Sequence, residues 1–236
     1  MVNKSVNKFD DWLNARLERC AGDANEDVHT YVARAVASRM LVDVRRTDQP
    51  VLRDLMAHLL DSKVLGETDM PGVEAAITDP DRLEALQATG LLDSGQDAVL
   101  DRITSALAQA LDVPFAAVTL VDADRLLLKS VKTTTPDNFG GGQVPLEWSI
   151  CQYTVAQGST LALDDARIDP VFKLHPAVAA GTFVAYLGVP VKDRKGNAIG
   201  TLCVSDTKPR MWTAGHVQIL SDFTALAAER AFGYAP

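Results

Sequence analysis

Three cysteines and four histidines are the residues of this sequence whose types could do chemistry. Cys20, Cys151 and Cys203 are far apart along the chain, and no histidines show the His-x-x-x-His spacing that holds a metal ion. The sequence also lacks a Cys-x-x-Cys pair, a Ser-His-Asp signature, a phosphate-binding glycine loop and a Walker motif. We therefore expect no metal site and no catalytic residues, which leaves the cysteines as the candidates for chemistry.

The cysteines support two interpretations. A buried cysteine packs as a small apolar residue, whereas a redox-active cysteine needs an accessible thiolate. The odd number of cysteines argues against a disulfide scaffold and for a reducing compartment. The N-terminus has no secretory signal, and the longest apolar runs are far shorter than the ~20 residues that cross a bilayer. We expect a cytoplasmic protein with no membrane partner.

The adjacent carboxylates of Asp164 and Asp165 are a further candidate for chemistry, as an acid and base pair. Neighbouring residues on a strand point to opposite faces of the sheet, so these two side chains cannot work as a close acid and base pair. A role in a turn or as a cap is the favoured interpretation.

The composition is that of a folded protein that does not bind nucleic acid. Of the 236 residues, 47% are hydrophobic and 23% are charged, fractions that are typical of globular domains. Lysine and arginine together number 23 against 31 for aspartate and glutamate, which gives a net charge of −8. A protein with this balance repels a phosphate backbone at long range, so we expect no nucleic-acid partner.

The first part of the chain carries three apolar stripes at helical spacing. One runs from Phe9 to Leu17, a second from Val28 to Met40 and a third from Leu52 to Leu60. Gly66 to Gly72 has the composition of a linker. About 65 residues are close to the lower size for a self-sufficient core. We therefore expect residues 1–75 to form a helical module that oligomerises, docks a partner or covers the domain that follows.

In residues 76–236 the spacing of apolar residues changes between helical and strand periods, which predicts a sheet with helices. Asp79 followed by Pro80 marks the start of a helix, a further helix is expected from about Trp148 to Gln157, and a last one begins after Thr213. Short β-rich runs lie between them. Helices before, between and after antiparallel strands predict an α+β fold, in which a central antiparallel sheet is sandwiched by helices and preceded by the all-helical module.

Short motifs across residues 79–232 resemble the GAF domain family, in the form often coupled to histidine kinases and cyclic-dinucleotide enzymes. Each motif is weak alone, but together they follow the order of the family and cover about two-thirds of the chain. The motifs are Arg82–Leu86, Thr89–Ser94, Val113–Ala116, Thr119–Arg125, Lys129–Ser130, Ser149–Val155, Asp164–Ala166, Asp169–Phe172, Gly188–Val191 and Ile199–Asp206. The resemblance implies a sensory domain of bacterial-type signal transduction.

The resemblance also implies a small-ligand pocket between the sheet and the loops that cover it. Such a pocket needs apolar walls and a few convergent polar groups. The residues at the matching positions are Phe139, Trp148, Cys151, Tyr153, Phe172, Tyr186 and Thr201. The same side chains would also suit an ordinary core, so ligand binding and plain packing both stay open at this point.

Departures from the family pattern limit what the resemblance implies about cofactors. Tyr153 stands where the family usually has a histidine beside its cysteine, which disfavours a bilin on Cys151. His175 precedes Pro176 and is expected in a surface loop, which disfavours a role as a haem ligand. We expect no required cofactor and an unidentified small molecule as the ligand.

Two functions from different classes follow from the resemblance. The first is a non-enzymatic sensor that works as a homodimer and relays the state of its ligand to a signalling partner through the N-terminal helices. The alternative is a cysteine-based redox sensor, or an enzyme like the methionine sulfoxide reductases, with Cys151 and Cys203 as redox candidates. The resemblance places both cysteines in the domain interior, and the cysteine spacing of those reductases is absent. A structural module without a ligand is a third possibility.

Overall fold

The chain forms two compact units, Met1–Glu67 and Thr68–Pro236. The computed structural model describes residues 10–23, 27–45, 51, 54–55, 58–59, 62, 72–134 and 142–233. Among these residues, every helix is too short or too polar to span a lipid bilayer.

The N-terminal unit is helical where it is described. Helix α1 spans Asp11–Asp23 and helix α2 spans Val28–Arg45. Each begins after an aspartate, because Asp10 accepts a hydrogen bond from the amide of Leu13 at 2.8 Å and Asp27 accepts one from the amide of Thr30 at 3.1 Å. The third predicted stripe is helical at residues 51, 54–55 and 58–59. Its other residues, and Phe9, lie outside the described residues.

The second unit opens with three helices. They are α3 at Glu74–Ile77, α4 at Pro80–Ala88 and α5 at Ala98–Ala110. The second of them begins where Asp79 and Pro80 predicted a helix start, so that prediction is confirmed. Asp79 caps α4, since its carboxylate accepts a hydrogen bond from the amide of Arg82 at 2.9 Å and Pro80 occupies the first turn. The start of α4 is therefore fixed by residues that are its neighbours in the sequence.

A six-stranded sheet forms the centre of this unit and confirms the predicted α+β class. Every pair of neighbouring strands is antiparallel, and the order across the sheet is β3-β2-β1-β6-β5-β4. The strands are β1 at Phe115–Val121, β2 at Arg125–Thr133, β3 at Gln143–Pro145, β4 at Leu161–Leu163, β5 at Ala185–Lys192 and β6 at Ala198–Asp206.

The remaining helices are a 3-10 turn at Leu146–Trp148, α6 at Cys151–Gln157, α7 at Pro176–Ala179 and α8 at Ala214–Phe232. The prediction of one helix beginning near Trp148 is wrong at its start. Ser149 has an extended backbone, with φ −100° and ψ 110°, and this separates the 3-10 turn from α6. The predicted cap Thr213 is confirmed, because its hydroxyl accepts a hydrogen bond from the amide of His216.

The sheet separates two apolar cores, because successive residues of a strand point to opposite faces. The first core lies against α5 and α8, and includes Leu100, Leu107, Leu120, Leu187, Leu202 and Leu220. The second lies against α6 and α7, and includes Ile150, Val155, Leu163, Phe172, Val178 and Phe183. Burial of one such side chain stabilises the fold by about 1.5–3 kcal/mol. The candidate site lies on the face of the sheet that carries the second core, which is called the second face below.

A buried arginine ties the first helices to the sheet. Arg82 donates from Nη1 to the carbonyl oxygen of Val121 at 2.6 Å, and from Nε and Nη2 to the carbonyl oxygen of Ile77. Burial lowers the pKa of the Arg82 guanidinium, while the nearby Asp122 and Asp79 oppose that shift. The guanidinium thereby satisfies one carbonyl at the end of β1 and one at the end of α3, and it links the two elements at the edge of the second core.

Candidate functional site

A cavity of about 110 Å³ lies on the second face of the sheet. A cavity of this volume has room for several water molecules. Its walls come from β1, β2, β3, β5 and β6, from the segment that leads into α6, and from α7. The lining residues are Pro114, Phe115, Thr119, Leu126, Leu128, Val144, Trp148, Ser149, Ile150, Cys151, Ala177, Thr182, Phe183, Tyr186, Cys203, Ser205, Asp206 and Thr207.

The floor of the cavity contains a hydroxyl pair at the centre of the sheet. Thr119 on β1 and Thr201 on β6 are paired in register, and their Oγ1 atoms are 2.8 Å apart. Both residues are buried. The pair satisfies two hydroxyls in the middle of an apolar sheet, and Thr119 forms part of the cavity wall.

Two thiols meet in the same wall. Cys151 is the first residue of α6 and Cys203 is near the middle of β6, yet their Sγ atoms are only 3.8 Å apart. The Tyr186 hydroxyl donates a hydrogen bond to Cys151 Sγ at 3.5 Å and lies 3.2 Å from the Thr154 hydroxyl. Cys151 is 6% exposed and Cys203 is 3% exposed. Both are free thiols that line the cavity.

The neighbours of Cys151 shift the acidity of both thiols. A hydrogen bond from Cys203 is the main cause that lowers the pKa of Cys151 to about 6, and Thr201, Tyr186 and Thr119 add to it against the opposing effect of burial. The same hydrogen bond, together with burial, raises the pKa of Cys203 well above its ordinary range. Burial also raises the pKa of Tyr186, so its hydroxyl stays protonated as a donor.

Two polar atoms of the cavity-lining residues have no hydrogen-bond partner within the described part of the chain. They are the indole Nε1 of Trp148 and the Oγ of Ser149, and both are buried atoms. A buried donor that is left unpaired costs about 1–3 kcal/mol. A ligand with a hydrogen-bond acceptor would recover that free energy, so the arrangement can hold a small, largely apolar molecule with one polar group.

The structure brings three of the predicted site residues to the cavity. Trp148, Cys151 and Tyr186 are all lining residues. Thr201 is not a lining residue, although its hydroxyl is paired with that of Thr119, which is. Phe139 lies outside the described residues.

Tyr153 and Phe172 occupy the second core instead of the cavity wall. Their rings are 5.3 Å apart in an edge-to-face arrangement, and both side chains are buried. Tyr153 is two residues after Cys151 on α6, a step of about 200° around a helix, so the two side chains leave α6 in different directions. Burial raises the pKa of Tyr153 to about 12.

The expectation that His175 lies in a surface loop is wrong. The side chain is 1% exposed, and it caps α7 by accepting a hydrogen bond at Nδ1 from the amide of Ala177 at 3.2 Å. Its ring contacts Tyr153 edge to face at 5.9 Å, and Nε2 has no partner among the described residues. Burial lowers the pKa of His175 to about 4, so the ring is neutral at pH 7.

Other lining residues were not singled out as site residues from the sequence. Thr119 interrupts an otherwise apolar strand between Val118 and Leu120, and this alternation was a usable signal for a polar group on the second face. Ser149 gave no comparable signal, because only its unpaired hydroxyl distinguishes it.

Asp164 and Asp165 follow β4 and serve local structure. Asp164 accepts a hydrogen bond from the amide of Trp212 at 2.9 Å, and Asp165 pairs with Arg167 at 2.6 Å. The Asp165 contact fits the predicted turn role, because the amide of Arg167 also donates to its carboxylate, whereas Asp164 bonds to a residue 48 positions away. Neither residue lines the cavity.

Comparison with known families identifies the domain that carries this cavity. A family model described as the GAF domain matches residues 96–230, which is more than half of the chain. The chain belongs to the GAF domain family. The match includes α5, all six strands and most of α8, so the cavity lies within the GAF domain, and the resemblance seen in the sequence motifs is confirmed.

A curated relative is the cyclic di-GMP phosphodiesterase of Pseudomonas aeruginosa, which is 29% identical over 143 residues. The match covers 60% of this chain and 24% of the relative, so the chain spans about a quarter of that protein's length. Among solved structures, the GAF domain of an Acinetobacter phosphoenolpyruvate-protein phosphotransferase is 20% identical, with a TM-score of 0.47, over 65% of this chain and 94% of that one. A free methionine-R-sulfoxide reductase from Neisseria meningitidis is 18% identical, with a TM-score of 0.46, over 70% and 94%.

The match to the phosphodiesterase contradicts the prediction that this chain is not an enzyme, because the relative bears the name of one. That prediction rested on the absence of catalytic motifs from 236 residues. Such an absence says nothing of the three quarters of the relative that the match leaves out.

Proposed function

We propose that the GAF domain binds a small molecule in the cavity and that its occupancy regulates a cyclic-dinucleotide output. The cavity walls are mostly apolar, which favours a compact ligand, and the unpaired polar atoms favour one with a hydrogen-bond acceptor. The output is inferred from the relative named as a cyclic di-GMP phosphodiesterase. A GAF domain is a sensory domain, and regulation of such an output would be its role.

The observation that carries the proposal is the unpaired Trp148 Nε1 and Ser149 Oγ on residues that line one cavity. Buried polar atoms in folded proteins are nearly always paired with protein or with ordered water. Two unpaired atoms on adjacent residues that share a cavity wall therefore support a hydrogen-bonding ligand at this position.

Thermal denaturation of the full chain tests this function. The protein is unfolded in urea to release small molecules, refolded, and melted with and without the low-molecular-weight fraction of a cell extract. A ligand at a hundred times its Kd stabilises the folded state by about 2.7 kcal/mol, so we expect the Tm to rise by about 5–10 °C.

Leu128→Trp and Leu127→Trp supply the matched pair of variants for that melt. Both leucines are half-buried neighbours on β2, but Leu128 lines the cavity and Leu127 packs in the first core. The larger side chain at Leu128 should abolish the rise in Tm, whereas the same change at Leu127 should preserve it. An equal rise in both variants would place the ligand elsewhere.

Regulation requires that the ligand bind one of two states of the protein more tightly than the other. A ligand with equal affinity for both states does not shift the equilibrium between them. We propose that the N-terminal helices relay this preference within a homodimer. Helices α1 and α2 expose large apolar side chains, including Trp12 at 66%, Val36 at 52% and Met40 at 46%. Exposed apolar side chains at these positions favour coverage by a second copy of the unit.

A charge on α1 should therefore separate the copies. Light scattering of the full chain should give the mass of two copies for the wild type and of one copy for Trp12→Glu, because a carboxylate cannot be buried in an apolar contact without a partner. Glu18→Lys is the control, since it changes more charge at a position about 120° around α1 from Trp12. A monomeric wild type, or a dimeric Trp12→Glu, would contradict the proposal.

A further inference from the structure

The two cavity thiols have a chemistry that ligand binding does not use. Cys151 and Cys203 lie 52 residues apart in the sequence and 3.8 Å apart in space, between the start of α6 and the middle of the sheet. We propose that they form a dithiol that reacts with small hydroperoxides, in which Cys151 is oxidised first and Cys203 then closes a disulfide. This site goes beyond the proposed function and does not require the sensory ligand.

The geometry gives the oxidant a place to react. Both sulfurs belong to residues that line the cavity, whose volume of about 110 Å³ admits molecules of the size of water and small hydroperoxides. The sulfurs must approach by only about 1.8 Å to reach the S–S bond length of about 2.05 Å. Cys151 is the first residue of α6, where a helix end can move more easily than the centre of a sheet.

The neighbours decide which sulfur reacts first. Two groups that can donate to a sulfur anion contact Cys151, namely the Cys203 thiol at 3.8 Å and the Tyr186 hydroxyl at 3.5 Å. The lowered pKa of Cys151 favours its thiolate over that of an ordinary cysteine. Cys203 stays protonated, because its pKa is raised. The thiolate is the nucleophile, so attack begins at Cys151.

The reaction balances in two steps. The Cys151 thiolate attacks one oxygen of the hydroperoxide, the O–O bond breaks, and the remaining alkoxide leaves as an alcohol after it takes a proton. Cys151 is then a sulfenic acid. The Cys203 sulfur attacks the Cys151 sulfur, the S–O bond breaks, and the departing hydroxide takes the Cys203 proton to leave as water. Overall, two thiols and one hydroperoxide give one disulfide, one alcohol and one water.

A disulfide here would change the cavity that the proposed function uses. It would link the start of α6 to β6 and remove both thiol groups from the cavity wall. It would also weaken the acceptor of the Tyr186 hydroxyl, because a disulfide sulfur accepts a hydrogen bond less well than a thiolate does. Oxidation and ligand occupancy would thus act on the same wall.

The test is the reaction of the full chain with hydrogen peroxide, followed by mass spectrometry of the intact protein and of its peptides. We expect the wild type to lose the mass of two hydrogen atoms and to yield a peptide in which Cys151 is linked to Cys203. Dithiothreitol should restore the original mass. The exposed Cys20 on α1 is the internal control, and Cys151 should be consumed at least about tenfold faster than Cys20.

Three variants assign the roles. Cys203→Ser should stop at a sulfenic acid on Cys151 that dimedone traps, and Cys151→Ser should leave Cys203 reduced over the same interval. Cys20→Ser should form the disulfide at the wild-type rate. The wild-type rate comparison with Cys20 needs no variant, so it stands even where a substitution disturbs folding. Peroxide that consumes Cys20 while Cys151 stays reduced, or that oxidises Cys203 equally fast in Cys151→Ser, would overturn the proposal.

Failure here would be distinguishable from failure of the proposed function. An inert dithiol in a protein whose Tm still rises with the extract would refute the redox chemistry alone. A reactive dithiol in a protein without that rise would refute ligand sensing alone.

Discussion

Gly200→Ala is expected to lower the free energy of unfolding by about 3 kcal/mol or more. Gly200 lies on β6, which pairs with β1 at the centre of the sheet. A Cβ atom there would lie 1.9 Å from the carbonyl oxygen of Thr119 and 2.9 Å from its carbonyl carbon. These are backbone atoms in a paired strand, so they cannot move aside as a flexible side chain can. Urea denaturation followed by circular dichroism measures the change.

Gly95→Ala is the matched control for this measurement. A Cβ atom at Gly95 would meet nothing within 4 Å, and the residue lies before α5 in a described segment of the same unit. We expect its free energy of unfolding to stay within about 0.5 kcal/mol of the wild-type value. A Gly200→Ala protein with the wild-type midpoint would show that β1 and β6 are not packed as closely as described here.

Stability should fall by about 3 kcal/mol between pH 7 and pH 4 through His175 alone. Burial lowers its pKa from 6.5 to about 4 in the folded state. The unfolded chain therefore binds a proton at His175 below about pH 6.5, whereas the folded chain binds it only near pH 4. The stabilising contribution is complete above pH 6.5 and is lost as the pH falls towards 4. Urea midpoints across this range measure the slope.

His175→Asn isolates this contribution, because an asparagine oxygen can accept the hydrogen bond from the Ala177 amide without titrating in this range. The variant should lose stability less steeply than the wild type between pH 6.5 and pH 4. His216→Asn is the control, since His216 also accepts a backbone hydrogen bond at a helix start but is only half-buried. Parallel pH profiles for the wild type and His175→Asn would show that the imidazole is not buried as a neutral group.

Local chemistry was enough to predict most of the fold. The Asp79–Pro80 start of α4 and the Thr213 cap of α8 depend on residues within three positions of each other, and both are confirmed. The change from helical to strand period predicted an antiparallel sheet with helices, which the structure contains. The start of α6 was misplaced because the extended backbone of Ser149 leaves no mark in the apolar pattern.

The site could not be derived in the same way, because its parts meet only through long-range pairing. Thr119 meets Thr201 across 82 residues, and the register of β1 with β6 alone brings their hydroxyls together. The burial of His175 depends on packing against Tyr153 on a different helix. Family motifs suggested the region of the pocket, but they could not separate the cavity wall from the core where Tyr153 and Phe172 lie.

Native mass spectrometry of the freshly purified full chain tests most directly whether the cavity is a ligand site. The wild type and Leu127→Trp should each carry an additional small mass that is released on denaturation, because the cavity is intact in both. Leu128→Trp should have the mass of the bare polypeptide, because the indole occupies the space that Leu128 now borders. An additional mass retained by Leu128→Trp, or bare polypeptide in all three proteins, would contradict the account.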